Sequence, residues 1–131
     1  MKIMSFNCRG LVGSHKKYAL KRVISLEHPN FLLLQETMGT GEEVKVVLEC
    51  FIHGWSFMAV DAIGRYGGLA IGWNSPKVQV LNTWGLDSGL GITFLLHELN
   101  ETTNLLNIYR PYLKRKYFWD TLLKIPCLRI Y

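Results

Sequence analysis

From its first residue the chain alternates: over roughly Lys2 to Cys8, residues Met4, Phe6 and Cys8 fall on one side and Ile3, Ser5 and Asn7 on the other, the period of a half-buried strand. Gly10 and Gly13 then loosen the backbone. Ser14 stands at an N-cap position, and the spacing of Leu20, Val23 and Ile24 predicts an amphipathic helix through about Glu27. Pro29 closes that helix, because a proline disfavours the helical conformation in the residue before it. "FLLLQET" follows as a continuous apolar run, the mark of a strand covered on both faces, with polarity beginning only at Gln35 and Glu36. Thr40 and Glu43 then have the spacing of a capping box, and Val44, Val47, Leu48 and Phe51 give the next helix a full buried stripe.

From Trp55 the pattern shifts to short strands: "WSFMAVDAI", then "GRYGG" as a turn, then "LAIGW", "KVQVLNTW", "GITFLLHEL" and "TNLLNIY". Asn74-Ser75-Pro76 and Leu86-Asp87-Ser88-Gly89 supply turn chemistry between them, and runs this closely spaced read as an antiparallel meander. A last helix, about Leu113 to Lys124, is expected to bury Phe118, Trp119, Leu122 and Leu123; Trp55, Trp73 and Trp84 are expected in the core as well. The tail "IPCLRIY" has no periodicity. The order predicts an α+β fold, with one domain over 1–124 and an irregular tail over 125–131. A right-handed crossover makes the first two strands parallel, so Asn7 and Glu36 end at the same edge, outside the strand carboxyl ends where ligands sit. "TNLLNIY" ends in Asn107 and Tyr109, a third strand with a polar close.

Composition adds constraints. Charged residues make up 19% of the chain and hydrophobic ones 49%, against ~25% charged in ordinary domains. That balance suits a piece of something larger, with sheet edges that another element should cover. The net charge of +5 favours a polyanionic partner, although the basic residues are interspersed with acids except at Arg110, Lys114, Arg115 and Lys116. That cluster reads either as a phosphate contact or as a solvated helix turn. Cys8, Cys50 and Cys127 are odd in number and far apart, which argues against a disulfide framework, a disulfide-linked partner or a zinc site, and for a reducing intracellular compartment, nucleus or cytoplasm. No apolar run approaches the ~18 residues of a membrane helix, and the N-terminus lacks signal-peptide regions, so no membrane partner is expected. His15, His28, His53 and His97 sit in connections or at element ends and read as structural or exposed. Gly67 and Gly68 lead into a strand, which makes a hairpin a better reading than a phosphate loop.

One carboxylate and one amide converging at strand ends make a minimal Mg²⁺ site, because magnesium takes hard oxygen ligands, keeps several waters and shares its shell with phosphates. Taken alone, a strand ending in Gln35-Glu36 is more often an ordinary loop entrance. The segments "IMSFNCRGL", "LLLQET", "YGGLAIGW" and "LLNIYRPY", in this order, resemble the endonuclease/exonuclease/phosphatase family, and within it the endonuclease domain of plant LINE-type (non-LTR) retrotransposons, from Met1 to about Lys124. The resemblance implies part of a four-layer α/β sandwich of two packed sheets flanked by helices. It also implies Mg²⁺-dependent hydrolysis, Mn²⁺ serving in its place, with DNA as the ancestral substrate. By the same resemblance Asn7 and Tyr109 are catalytic and Glu36 with Asn7 holds the metal. Arg9, Arg110, Lys114, Arg115 and Lys116 are candidates for nucleic-acid contacts. The family's later "GDFN" and "SDH" motifs have no match in the sequence, and Arg110 stands where the family more commonly has a small residue. The expectation is an N-terminal portion truncated before the C-terminal half, impaired in catalysis, for which a complementing C-terminal half would supply the rest. Two other readings stay open: a non-catalytic nucleic-acid-binding remnant, and a phosphatase of the same superfamily.

Overall fold

A computed structural model describes residues 1–13, 15–63, 66–86, 88–98, 100–109 and 114–124. The elements are β1 (Ile3–Asn7), α1 (Lys16–Glu27), β2 (Phe31–Gln35), α2 (Gly41–Phe51), β3 (Trp55–Ile63), β4 (Tyr66–Asn74), β5 (Val78–Leu86), β6 (Gly89–Leu96), β7 (Glu101–Ile108) and α3 (Arg115–Leu123). They build a four-stranded sheet in the order β1-β2-β4-β3 and a three-stranded sheet in the order β5-β6-β7. β1 and β2 are parallel, with Asn7 opposite Gln35. Every other pairing is antiparallel.

The apolar run of β2 explains the layering. Leu32 and Leu34 face the helices, joining Leu20, Val44, Leu48 and Phe57 in one core, while Phe31 and Leu33 face the second sheet among Ile71, Leu90, Ile92 and Phe94. The first sheet is thus buried on both sides, and its central strand has to be apolar at successive positions. β1 alternates as its sequence predicts: Met4 and Phe6 pack toward the helical core, and Ile3, Ser5 and Asn7 lie on the face toward the second sheet but are exposed. Their exposure follows from the offset of the sheets, since β7 packs over β2 and β4.

Local chemistry sets most boundaries. Thr40 caps α2 as expected: its hydroxyl accepts from the Glu43 N–H at 3.1 Å and the Glu43 carboxylate accepts from the Thr40 N–H at 3.2 Å. Asp61 on β3 adds a second acceptor, 2.6 Å from the Gly41 nitrogen, favourable at a helix start. α1 ends at His28, which takes a left-handed conformation (φ 48°) and donates its N–H to the Ile24 carbonyl, so the helix stops through a left-handed cap rather than through the extended backbone usual before proline. Ser14, the expected N-cap, lies outside the described residues.

Three expectations need correction. The meander divides: β4 leaves the strand order and pairs with β2 as well as β3, while β5, β6 and β7 form the other sheet. Tyr66, Gly67 and Gly68 belong to β4 instead of a turn. Finally, α3 buries only Leu122; Phe118 is half-buried, and Trp119 and Leu123 are 48% and 64% exposed. Of the apolar stripe of α3, only Leu122 is fully covered in the structure of the described residues. The other three tryptophans are half-buried: Trp55 and Trp73 flank the two cores, and Trp84 lies against Gly91, which has no side chain to obstruct the ring. Leu113 and the tail over 125–131 lie outside the described residues.

Candidate active site at the strand ends

The polar close of β1 begins with Asn7, whose side-chain oxygen accepts from the Arg9 N–H at 3.2 Å. This Asx turn accompanies a left-handed Arg9, φ 46°. The chain then runs alongside the end of β2: the N–H groups of Cys8, Gly10 and Leu11 donate to the carbonyls of Gln35, Glu36 and Thr37. On the other side Thr37 and Met38 donate to Gly68 and Gly67 of β4. Held from both flanks, Glu36 adopts φ 53°. A non-glycine residue in that conformation is uncommon and strained, and such residues concentrate at functional sites.

Tyr109, directly after β7, donates its hydroxyl to Glu36 Oε1 at 3.1 Å, and its backbone N–H is fixed to the Ser88 carbonyl at 3.0 Å. Glu36 and Tyr109 therefore meet across the gap between the sheets, and Asn7 stands on the neighbouring strand, opposite the residue before Glu36. Arg9 is exposed beside them. Lys114, Arg115 and Lys116 are exposed at the start of α3. Arg110 lies outside the described residues.

A polar floor supports this pair. Asn107 is 1% exposed, and its amide donates to the carbonyls of Leu34 and Ala70 at 3.0 and 2.9 Å. Its oxygen accepts from Gln35 Nε2 at 2.6 Å, and Gln35 continues to Ser5 on β1 at 3.1 Å. Three strands from two sheets are tied through one buried amide. Asn107 and Tyr109 share a face of the strand by the period of two, which aims both inward and sets the height of the tyrosine over Glu36. From the sequence Asn107 reads only as a polar strand ending, and the signal for its role is its spacing from Tyr109. Gln35 and Thr37 were not singled out as site residues at all. Thr37 is fully buried and its hydroxyl has no hydrogen-bond partner among the described residues.

The donor set is sparse. Among the described residues no three His, Cys, Asp or Glu side chains gather as a metal cluster. All four histidines are exposed.

On the helix side of β1 lies a cavity of about 510 Å³, bordered by Phe6, Asn7, Cys8, Arg9, Lys16 and Leu20 among others. Burial pushes the Cys8 thiol up from 9.0 to about 11, the negative charge of Glu36 adding to the effect and Lys16 opposing it. The folded chain then holds this proton where the unfolded chain has released it, so stability should be level below pH 9 and fall as pH rises toward 11. Relative to Cys8→Ala, the chain should lose about 2–3 kcal/mol across that window in urea titrations. An identical pH profile for both proteins would contradict the assignment.

Two packed sheets with helices against the outer face of one form a fold shared with several solved structures. The crystal structure of humanized D. rerio TDP2 carrying 14 mutations superposes with TM-score 0.71 at 18% identity, over 95% of this chain and 56% of that one. An endonuclease/exonuclease/phosphatase family protein from Bacteroides thetaiotaomicron superposes with TM-score 0.70 at 11% identity, over 95% and 58%. For the Xenopus laevis APE2 catalytic domain the values are 0.57 and 17%, over 90% and 49%. The chain thus spans about half the length of these structures. No family model matches the sequence, and no curated protein matches it. No helix among the described residues is long and apolar enough to cross a membrane.

Proposed function

We propose that this chain forms the N-terminal portion of a Mg²⁺-dependent phosphodiesterase domain of the DNA endonuclease kind, related to those of plant LINE-type elements, and that it hydrolyses poorly without the remainder. The observation that carries the reading is the 3.1 Å hydrogen bond from Tyr109 to Glu36, made beside Asn7 at the carboxyl ends of the first strands. Tyr109 occupies one lone pair of Oε1 and so orients the carboxylate while leaving Oε2 available as an acceptor. Asn7 spends one lone pair on the Arg9 N–H and keeps its amide donors for a phosphate oxygen. Glu36 and the Asn7 oxygen would hold Mg²⁺, or Mn²⁺ in its place. A divalent ion bound there would polarise the phosphoryl group and stabilise the leaving oxygen.

None of the exposed histidines is hydrogen-bonded to a carboxylate among the described residues, which supports reading the general acid-base help as coming from elsewhere. Loss of such help typically lowers rates by ~10²–10⁴. A complementing C-terminal half would supply it, pairing with the edges of β1 and β7 that no described strand occupies and covering Ile3, Ser5 and Asn7. Arg9, Arg110, Lys114, Arg115 and Lys116 would contact the DNA backbone, which contributes affinity without sequence information.

Two measurements test the reading. Mn²⁺ titration followed by electron paramagnetic resonance should detect one weak site that disappears in Glu36→Gln, and supercoiled plasmid with Mg²⁺ should be nicked barely above background. Absence of Mn²⁺ uptake, with DNA binding unchanged in Glu36→Ala, would favour the non-catalytic remnant. Vigorous nicking lost in Glu36→Ala would overturn the impairment.

A further inference from the structure

We propose that the outer face of α1, where Lys17 and Lys21 flank the Phe51–Tyr18 ring pair and Arg22 follows Lys21 on the same helix, is a binding surface for a nucleic-acid sugar-phosphate backbone, separate from the Glu36 crevice. It requires neither a metal nor Glu36 and so stands independently of the hydrolytic reading.

α1 carries Lys16, Lys17, Lys21 and Arg22 against one acid, Glu27. That acid is already engaged: Lys2 Nζ lies 3.0 Å from its carboxylate and 2.8 Å from its carbonyl. Lys16 is spent as well, its ammonium donating to the carbonyls of Cys8 and Arg9. It thereby pins the first turn of α1 to the rim of the crevice. No carboxylate among the described residues forms an ion pair with Lys17, Lys21 or Arg22.

Two of these cations are held by aromatic rings. Lys17 Nζ stands 5.6 Å and Lys21 Nζ 5.2 Å from the centroid of Phe51, the last residue of α2. Lys17 also lies 5.8 Å from the Tyr18 ring. Tyr18 meets Phe51 edge-on at 4.7 Å and is 58% exposed. The rings attract both ammonium groups to one place without neutralising them. Two unneutralised cations, an adjacent guanidinium and an exposed phenol make a surface suited to phosphates and to the sugars or bases between them. Glu49 sits two positions before Phe51 and does not share its side of α2.

A lipid surface is a poorer partner. Interfacial helices need an apolar face free for insertion, and the Leu20 and Ile24 side of α1 is already turned to the core.

The test is fluorescence anisotropy with a labelled DNA duplex over a series of KCl concentrations. Each phosphate contact contributes about 0.9 to the slope of log K against log salt. The triple variant Lys17→Gln/Lys21→Gln/Arg22→Gln should therefore lower the slope by about 2–3 and weaken low-salt binding by more than tenfold. Lys17→Arg/Lys21→Arg, which keeps the charges, should retain the slope, as should Lys77→Gln at the β4–β5 turn. An unchanged slope in the triple variant, or binding to phosphatidylserine vesicles without binding to the duplex, would overturn the proposal.

Discussion

Replacing Gly68 with alanine should destabilise the fold by about 2–5 kcal/mol. Gly68 has φ 82°, and a Cβ there would collide with Thr37 Oγ1 and sit 3.3 Å from the Met38 nitrogen and 3.5 Å from Ala62 Cβ. The left-handed conformation alone disfavours alanine by about 1–2 kcal/mol. Overpacking adds about 1–3 kcal/mol because the obstructing atom belongs to a fully buried residue that cannot swing away. These contributions can be separated. Thr37→Ala removes a hydroxyl that has no partner among the described residues together with a buried methyl, a gain and a loss that offset to within about 1 kcal/mol, and in combination it should relieve the clash but not the backbone strain. In urea denaturation the double variant should recover about 1–3 kcal/mol relative to Gly68→Ala. Strict additivity would show that the two residues do not meet. The displaced strand would also carry Glu36 with it, since Thr37 and Met38 are anchored to Gly68 and Gly67.

The same pair shows why the fold was only partly legible in the sequence. A capping box is read from four adjacent residues, and Thr40 with Glu43 formed one because the chemistry is local. The parallel pairing of β1 and β2 was equally accessible, since a strand, a helix and a strand admit essentially one handedness. "GRYGG" misled because glycine is the default turn residue, whereas Gly67 and Gly68 serve inside a strand, where positive φ and absent side chains let Thr37 approach. Which sheet a strand joins depends on contacts distant in sequence. Nothing in the alternation of β5 announces that it leaves β4 for β6. The stripe of Phe118, Trp119, Leu122 and Leu123 was read correctly as apolar, yet a stripe specifies only that some surface should cover it, not that the surface lies among the neighbouring elements. Of the crevice, Glu36 and Tyr109 were visible as strand endings and do meet, while the buried tie beneath them depended on geometry that spacing could only suggest.

That tie leads to the second large effect. Asn107→Ala should lose about 2–4 kcal/mol, because it deprives the Leu34 and Ala70 carbonyls of a donor, leaves Gln35 Nε2 without its 2.6 Å acceptor and opens a void between the sheets. Asn107→Asp keeps the shape and should be worse at neutral pH. A carboxylate buried against two carbonyls has no proton to offer either of them, and its charge is desolvated. Both penalties raise the folded-state pKa of the introduced acid above its unfolded value, so the folded protein gains protons first as pH falls. Stability of Asn107→Asp relative to the original chain should therefore improve on acidification and be best below the ordinary aspartate range, about 4. Asn107→Ala should show no such recovery. Urea titrations of the three proteins at neutral and acidic pH check both statements. The readout extends to the crevice, because Tyr109 lies two residues on and reaches Glu36 only while β7 is held against β2 and β4. A loss below about 0.5 kcal/mol in Asn107→Ala would place the amide among ordinary surface contacts, and the coupling between the two sheets would then have to rest on apolar packing alone.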